Sequence, residues 1–270
     1  MKMEKELDYL EVNKKAWNTK TDIHLDSEFY DVDGFLEGDT SLKSIELELL
    51  GDIKAKSILH LQCHFGQDSI SLARMGAKVT GVDLSDRAVE EAEILNEKAG
   101  TDCRFIQSDV YDLPDLLNEK FDIVFTTYGT IGWLPNMDKW AGVISHFLKP
   151  EGKLVFAEFH PVVWMFDDQF TKVGYNYFNK GAIVEEIAGS YTDRDAPIVN
   201  DYVMWNHGLA EVMSALIRNS LRIDSFNEYD YSPYDCFFGT EEFEPGKFRI
   251  QHIGNQIPMV YSIAATKHSA

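Results

Sequence analysis

The chain has 270 residues, and its 45 acidic against 25 basic side chains give a net charge of −20 at pH 7. This charge repels nucleic-acid backbones, so DNA and RNA partners are disfavoured. No apolar run reaches the roughly 18–20 residues that cross a bilayer, and the N-terminus lacks the apolar core of a signal peptide. The three cysteines are too few and too widely spaced to indicate a disulfide framework or a zinc site. We therefore expect a cytoplasmic protein with one α/β domain over residues 1–270.

Residues 1–50 form an acidic lead-in that carries several aromatic side chains. A helix is predicted around Asn13–Trp17, and a second one over Ile45–Leu50. Trp17 and Tyr30 either belong to a lid that folds over a ligand or simply pack these helices onto the core, and the two interpretations are compatible.

The stretch from residue 57 to 83 predicts the first βαβ unit of a nucleotide-binding sheet. Ile58–Leu61 is a short apolar run, as in a buried strand, and a turn follows at Gln62–Gly66. Apolar residues then recur at helical spacing until Gly76, and a second strand at Lys78–Val82 leads into Asp83. An acid at the tip of the second strand can accept both hydroxyls of a ribose.

The turn argues against a dinucleotide. A G-x-G-x-x-G fingerprint lets a pyrophosphate approach bare backbone, but Gln62, His64 and Gln67 occupy the three glycine positions here. The run Leu-Gln-Cys-His-Phe-Gly-Gln-Asp, in which Gly66 is retained, instead resembles the cofactor loop of class I S-adenosylmethionine-dependent methyltransferases, usually G-x-G-x-G. The resemblance implies that Gln62 and His64 lie beside the methionine part of S-adenosylmethionine and that Asp83 binds its ribose.

The third strand and its flanking residues extend this resemblance. Ser85 is a plausible N-cap for a helix that ends at Gly100, and Cys103–Gln107 is the next predicted strand. The resemblance implies that Asp109, at the end of that strand, accepts the adenine amino group while Leu84 and Val110 sandwich the ring. Asp109 could alternatively serve as a helix cap or turn residue.

The next two predicted strands also match patterns that are common in this family. Phe121–Phe125 runs into a polar loop, where the resemblance places Thr127 and Tyr128 next to the sulfonium. A helix from Met137 follows, and a Pro-Glu-Gly turn leads into a fifth strand at Lys153–Phe159.

The rest of the chain predicts an insertion and the end of the sheet. Residues 161–206 are aromatic without helical periodicity, which suggests a small antiparallel sheet that caps the pocket. A helix from Leu209, a sixth strand at Leu221–Glu228 and a seventh at Met259–Thr266 follow, the last two joined by an acidic loop. We expect a Rossmann-like, seven-stranded, mostly parallel α/β sheet with an antiparallel last strand and helices on both faces. The expected parts are a helical lid over 1–50, a cofactor-binding core over 57–160, the β-rich insertion, and the remaining strands over 207–270.

The predicted chemistry needs alignment and exclusion of water more than a catalytic triad or a metal, and neither is indicated. His160, just past the fifth strand, is the favoured candidate for a general base, ahead of Glu158 and His207. It could instead be a structural hydrogen-bond donor. Trp164 and Tyr231 are expected to line the acceptor site with Trp17, Tyr30, Tyr229 and Tyr234, although core packing is an alternative for each.

A metal site formed by His60, Cys63 and His64 is disfavoured, because strand alternation points His60 away from the loop. Three functions remain open. The favoured one is methylation of a small-molecule acceptor by a monomer or homodimer. The others are a nicotinamide-dependent oxidoreductase and a non-catalytic cofactor-binding module.

Overall fold

The computed structural model describes residues 8–268, so the N-terminal residues in which no signal peptide is expected lie outside it. The strands, in chain order, are β1 Ser57–Leu61, β2 Lys78–Asp83, β3 Arg104–Gln107, β4 Phe121–Thr127, β5 Leu148–Phe159, β6 Ile183–Ala188, β7 Val199–Met204, β8 Leu221–Tyr229, β9 Thr240–Glu244, β10 Lys247–Ile250 and β11 Val260–Lys267. The α-helices are α1 Tyr9–Leu25, α2 Val32–Glu37, α3 Ser44–Leu50, α4 Gln67–Arg74, α5 Asp86–Ala99, α6 Leu113–Leu116, α7 Met137–Phe147 and α8 Leu209–Arg218.

The main sheet has seven strands in the order β3-β2-β1-β4-β5-β11-β8. The chain starts at the centre with β1, moves outward to β3, and then returns through β4 to fill the other half. Strand β11 runs antiparallel between β5 and β8, with Val260 opposite Phe159 and Thr266 opposite Lys153. The predicted sheet with an antiparallel last strand is confirmed. The predicted strand ends agree to within a residue except at the end of β4, which runs two residues further, and at the start of β5.

Strand β5 begins earlier than predicted because Leu148 already pairs with Phe121. Between Leu148 and Lys153 the pairing is irregular, and Glu151 has a φ of 59°. The predicted Pro-Glu-Gly turn therefore lies inside this irregular segment.

The central strands are buried because helices cover both faces of the sheet. Ile58, Leu59 and Leu61 of β1 are completely buried, and so are Val155 and Phe156 of β5. A parallel sheet with helices on both faces explains why these strands read as continuous apolar runs and not as alternating ones. Burial of such side chains contributes about 1.5–3 kcal/mol each.

Two segments differ from the sequence-based expectation. Helix α1 runs to Leu25, two turns beyond the predicted helix. Apolar periodicity underestimates its length because its buried face carries the polar residues Asn13, Thr21 and His24. The acidic loop before β11 contains the antiparallel hairpin β9–β10, whose turn is Pro245–Gly246, with a left-handed φ of 69° at Gly246.

The insertion contains the antiparallel pair β6–β7, as predicted, with Ile183 opposite Met204. Helix α1 is attached to this pair through Asn13. Its Nδ2 donates to the Val203 carbonyl at 2.8 Å, and its Oδ1 accepts from the Val203 amide at 3.0 Å. The N-terminal helices and the insertion therefore form one continuous cover over the carboxyl edge of the sheet.

Within residues 8–268, no helix combines the length and the apolar character that crossing a membrane requires.

Candidate functional site

A cavity of about 990 Å³ opens where the parallel strands end, between the sheet and its cover of α1 and the insertion. Ligands of open α/β sheets bind at this edge. Every residue predicted to bind the cofactor lines this cavity. Of the six residues expected to line the acceptor site, Trp17, Tyr30, Trp164 and Tyr234 also line it. The geometry thus brings together residues that are up to 217 positions apart in the chain.

The turn after β1 has an unusual backbone. Gln62, His64 and Gly66 all have positive φ, at 57°, 50° and 83°. These alternate positions are the ones that hold glycine in the family's usual G-x-G-x-G loop. A left-handed conformation costs a non-glycine residue about 1–2 kcal/mol, so side-chain contacts must stabilise Gln62 and His64 there.

Those contacts hold the turn on two sides, and two polar atoms of the turn have no hydrogen-bond partner within residues 8–268. The Gln62 Nε2 donates to the Thr130 carbonyl at 2.8 Å, and the His64 Nε2 lies 2.8 Å from the Nδ1 of His24 on α1. The Gln62 Oε1 and the His64 Nδ1 are buried without a hydrogen-bond partner among the described residues. Buried polar atoms are rarely left unpaired, so this pair indicates a bound polar group.

His64 belongs to a buried chain of hydrogen bonds. The Nε2 of His24 lies 2.7 Å from the Oγ of Ser190, so His64, His24 and Ser190 are linked in series. Burial lowers the pKa of His64 to about 3 and also lowers that of His24, with the positive charge of Lys20 contributing to both shifts. Both imidazoles are therefore neutral, and the direction of the chain decides whether the His64 Nδ1 donates or accepts.

Asp83 holds the other side of the turn. Its Oδ2 accepts from the His64 amide at 2.8 Å and its Oδ1 accepts from the Ser85 amide at 2.9 Å. Burial raises the pKa of Asp83 to about 6, against the effect of these two donors. Each carboxylate oxygen retains acceptor capacity, so Asp83 can still bind hydroxyl groups.

Asp109 lies at the same edge, beyond β3. Burial raises its pKa. Tyr9 of α1 also lines the cavity, and burial followed by the charge of Asp109 raises the pKa of Tyr9 to about 12. The carboxylate therefore has an aromatic neighbour on the covering helix.

The loop after β4 forms a separate, acidic wall. The Thr127 Oγ1 donates to the Asp68 Oδ2 at 3.4 Å, and the Tyr128 hydroxyl donates to the Glu46 Oε2 at 2.8 Å. Burial raises the pKa of Glu46 to about 7 and also raises that of Asp68. Both carboxyl groups are therefore easier to protonate than surface acids.

Glu158, one of the residues considered as a base, has a different role. Its carboxylate accepts from the Thr130 amide at 2.7 Å and from the Ile131 amide at 3.1 Å. It also accepts from the Phe159 amide at 2.7 Å and from the amide of Gly129. With its lone pairs occupied by backbone donors, Glu158 fixes the loop after β4 and has little capacity left for a substrate proton.

His160 does not line the cavity, so the prediction that it acts as a base finds no support in the geometry. Its Nε2 lies 2.9 Å from the Glu228 Oε1, and its Nδ1 accepts from the Val162 amide at 3.2 Å. Both ring nitrogens are thus used in structural contacts. His207 reaches the cavity wall, but its Nε2 is 2.8 Å from the Leu134 carbonyl, to which it can donate.

Tyr231, like Tyr229, lies outside the cavity wall, against the expectation from the sequence. It packs against Tyr229 and Phe243, with ring centroids 5.6 and 6.4 Å apart, and the Lys247 Nζ is 5.1 Å from its ring. The physical reason is the unpredicted β9–β10 hairpin, which draws the Tyr231 side chain to itself. Tyr234, three residues further on, does line the cavity.

Sequence analysis missed one whole face of helix α1. Tyr9, Asn13 and Lys20 line the cavity together with Trp17, at positions i, i+4, i+8 and i+11 of one helical face. The spacing is visible in the sequence, but the residues are polar or aromatic and so give no apolar stripe. A stripe of such residues on a helix with little aliphatic content was the available signal.

No group of three or more His, Cys, Asp or Glu side chains that could hold a metal ion occurs in the part of the chain that the structure describes.

The comparisons with known proteins agree with this geometry. Residues 58–152 match the sequence model of the methyltransferase domain family. The sterol 4-C-methyltransferase strm-1 of Caenorhabditis elegans is 29% identical over 162 residues, which are 55% of this chain and 47% of that protein. A ubiquinone biosynthesis O-methyltransferase of Xanthomonas euvesicatoria is 26% identical over 78% of this chain and 89% of its own length. The chain spans about half the length of several curated relatives, the sterol enzyme among them.

Solved structures share the fold over most of the chain. A putative S-adenosylmethionine-dependent methyltransferase from Listeria monocytogenes has a TM-score of 0.61 at 21% identity, covering 83% of this chain and 95% of its own. Geranyl diphosphate C-methyltransferase from Streptomyces coelicolor has a TM-score of 0.59 at 16% identity, covering 97% and 98%. Residues 58–152 thus match the methyltransferase domain family, and the solved structures share the fold over most of the chain.

Proposed function

We propose that this protein transfers the methyl group of S-adenosylmethionine to a small-molecule acceptor bound in the cavity. The observation that carries the proposal is the pair of unpartnered buried atoms, the Gln62 Oε1 and the His64 Nδ1, in the turn after β1. An acceptor oxygen beside a ring nitrogen suits an amino-acid group that has both an ammonium and a carboxylate. That is the chemistry of the cofactor's methionine end.

The remaining cofactor contacts follow the sequence-based assignment. Asp83 would accept hydrogen bonds from the ribose hydroxyls, and Asp109 one from the adenine amino group. Leu84 and Val110 line the cavity near these acids and would enclose the ring. The Asp83 carboxylate is already held by the His64 and Ser85 amides, so this part of the cavity is preorganised before any ligand arrives.

S-adenosylmethionine supplies an activated methyl group on a sulfonium, so the chain's own task is to position the acceptor and exclude water. The loop after β4 lines the cavity, and Glu158 holds it in place through the three backbone amides of Gly129, Thr130 and Ile131. We assign Thr127 and Tyr128 to the wall nearest the reacting methyl group. Trp17, Tyr30 and Trp164 would enclose the acceptor from the cover.

The cavity size and the charge support a small acceptor. A volume of about 990 Å³ is enough for the cofactor and a compact second molecule. The net charge of −20 disfavours a nucleic acid as the acceptor. We propose that the N-terminal helices, the sheet and the insertion act as one domain around this single site.

Calorimetry with S-adenosylmethionine, S-adenosylhomocysteine and NAD tests the cofactor assignment. We expect micromolar binding of the two sulfur nucleosides and none of NAD, and binding of NAD alone would reject the proposal. Turnover assays with amine, phenol, thiol and carboxylate acceptors then test catalysis. Binding without turnover on any acceptor class would favour the alternative of a non-catalytic cofactor-binding module.

A further inference from the structure

Lys20 is a buried cation with no use in the cofactor assignment above. It projects from helix α1 into the cavity and retains only 8% of its surface exposure. Lysine is almost never buried to this extent unless an anion pairs with it. Its burial therefore needs an explanation.

The chain itself supplies no anion for this ammonium. Among residues 8–268, no carboxylate forms an ion pair with Lys20 and no acceptor takes a hydrogen bond from its Nζ. Four aromatic rings surround the Nζ instead. Their centroids lie 4.4 Å away for Tyr202, 5.1 Å for Trp17, 5.7 Å for Tyr191 and 6.0 Å for Trp133. Ring faces attract a cation, but they do not accept its three N–H groups as oxygen atoms do.

The neighbouring titratable groups do not compensate the charge either. His24 on α1 and His64 in the turn after β1 are both neutral because burial lowers their pKa values. Burial also raises the pKa values of Tyr191 and Tyr202, so both phenols stay protonated. The ammonium of Lys20 is thus the dominant charge at this end of the cavity.

We propose that the acceptor carries a carboxylate and that Lys20 binds it. The inference rests on the proposed function and adds the chemical class of the acceptor. Trp17 is among the residues assigned to the acceptor, while Tyr191 and Tyr202 belong to the insertion and Trp133 to the loop after β4. None of the acids assigned to the adenosine part contributes to this aromatic cage.

The surroundings favour a carboxylate over a more highly charged group. One cation and four apolar ring faces can neutralise one negative charge and enclose a hydrophobic body, whereas a phosphate dianion needs further donors. Acids such as Asp31 and Asp168 line the mouth of the cavity and would oppose an anion. Their effect is screened by water, whereas Lys20 acts in a desolvated site where its attraction is stronger.

The test measures carboxylate preference in protein saturated with S-adenosylhomocysteine. The probes are small monocarboxylates and their primary amides, such as benzoate with benzamide and phenylacetate with phenylacetamide, measured by calorimetry. We expect at least one carboxylate to bind wild-type protein about tenfold more tightly than its amide. Lys20→Met should abolish that preference. Lys15→Met, which removes an exposed lysine of the same helix, should retain it.

Affinity for the cofactor product separates this proposal from other outcomes. We expect Lys20→Met to bind S-adenosylhomocysteine within about threefold of wild type. If the variant loses affinity for S-adenosylhomocysteine but not for 5′-methylthioadenosine, which lacks the amino-acid end, Lys20 serves the cofactor's carboxylate and the proposal is overturned. A wild-type protein without any carboxylate preference, or a variant that keeps it, overturns the proposal as well. Failure of wild-type protein to bind S-adenosylhomocysteine would instead reject the proposed function.

Discussion

Asp83 must be ionised to accept hydrogen bonds from the His64 amide and from a ribose together. Because burial raises its pKa to about 6, protonation competes with ligand binding in mildly acidic solution. We expect the affinity for S-adenosylhomocysteine to be constant above pH 7 and to fall about tenfold between pH 7 and pH 5. Calorimetry across this range measures the effect.

The matched variants for that experiment are Asp83→Asn and Asp102→Asn. The first should bind weakly at pH 7 and lose the pH dependence, since its amide cannot ionise. The second changes an exposed acid and should titrate like wild type. An unchanged pH profile in Asp83→Asn would contradict the assignment of Asp83 to the ribose.

His160 provides the complementary prediction, because both of its ring nitrogens are engaged away from the cavity. His160→Asn should reduce stability by about 1–3 kcal/mol through the loss of buried hydrogen bonds. Turnover at saturating cofactor should stay within about threefold of wild type. Urea denaturation and initial rates measure the two effects. A loss of turnover of a hundredfold or more in a well-folded variant would restore His160 as a base.

At the scale of single residues, sequence reasoning located many of the residues that line the cavity, because they directly follow strands. It could not show what stabilises Gln62 and His64 in left-handed backbone. Those stabilising contacts come from Thr130 and His24, which are 68 and 40 positions away in the chain. Long-range partners of this kind depend on how loops meet across the sheet edge, which no local pattern encodes.

Helix α1 depends on Asn13 for its attachment to the insertion. Asn13→Ala would leave the buried amide and carbonyl of Val203 without partners, which costs about 1–3 kcal/mol. We expect a lower melting temperature and weaker binding of S-adenosylhomocysteine, because the two hydrogen bonds that join α1 to the insertion are lost. Differential scanning calorimetry and ligand titration measure both.

Lys15→Ala is the control for that helix, since Lys15 is exposed on the opposite face. It should leave both quantities close to their wild-type values. If Asn13→Ala lowered stability but left ligand affinity unchanged, α1 would serve only as packing and not as part of the binding site.

The secondary elements were predictable where apolar periodicity defines them. Strands β1, β2 and β4 and the helices that cover them follow this rule, and helix α5 ends at Gly100 as expected. Helix α1 was underestimated because its buried face is made of polar groups that pair with other elements. The β9–β10 hairpin was missed because its acidic strands resemble a solvated loop, although Pro245–Gly246 marks its turn.

For the molecule as a whole, the uncompensated charge of Lys20 predicts a measurable loss of stability in the ligand-free state. Burial lowers the pKa of Lys20 from 10.5 to about 8. Below pH 8 the side chain is charged in both the folded and the unfolded state, and the folded state bears the full desolvation penalty. Between pH 8 and 10.5 the folded state loses its proton first, so the penalty disappears as the pH rises.

Lys20→Met should therefore raise the free energy of unfolding by about 3 kcal/mol near pH 7, and by much less near pH 10.5. Urea denaturation at the two pH values measures this difference, with Lys15→Met as the control. His24 and His64 are neutral throughout this range, so they do not contribute to the pH dependence. A variant that is less stable than wild type at pH 7 would show that the aromatic cage compensates the charge by itself.

The mostly parallel sheet with its antiparallel last strand could be anticipated from the sequence, because the predicted strands and their following loops match a common pattern. The proposed acceptor site could not be anticipated, since its walls come from α1, the loop after β4 and the insertion. These parts share no sequence motif and meet only in the folded chain. The burial of the Lys20 ammonium among four aromatic rings can therefore be recognised only in the folded structure.

The series His64, His24 and Ser190 joins the floor of the cavity to its roof and to the insertion through two short contacts. Helix α1 cannot move away from the sheet without breaking the contact between His24 and His64, in the turn proposed to bind the methionine end of the cofactor. If that turn binds the cofactor as proposed, release of the demethylated product and movement of α1 would be coupled. In an enzyme with this arrangement, the movement of helix α1 would set an upper limit on the turnover rate.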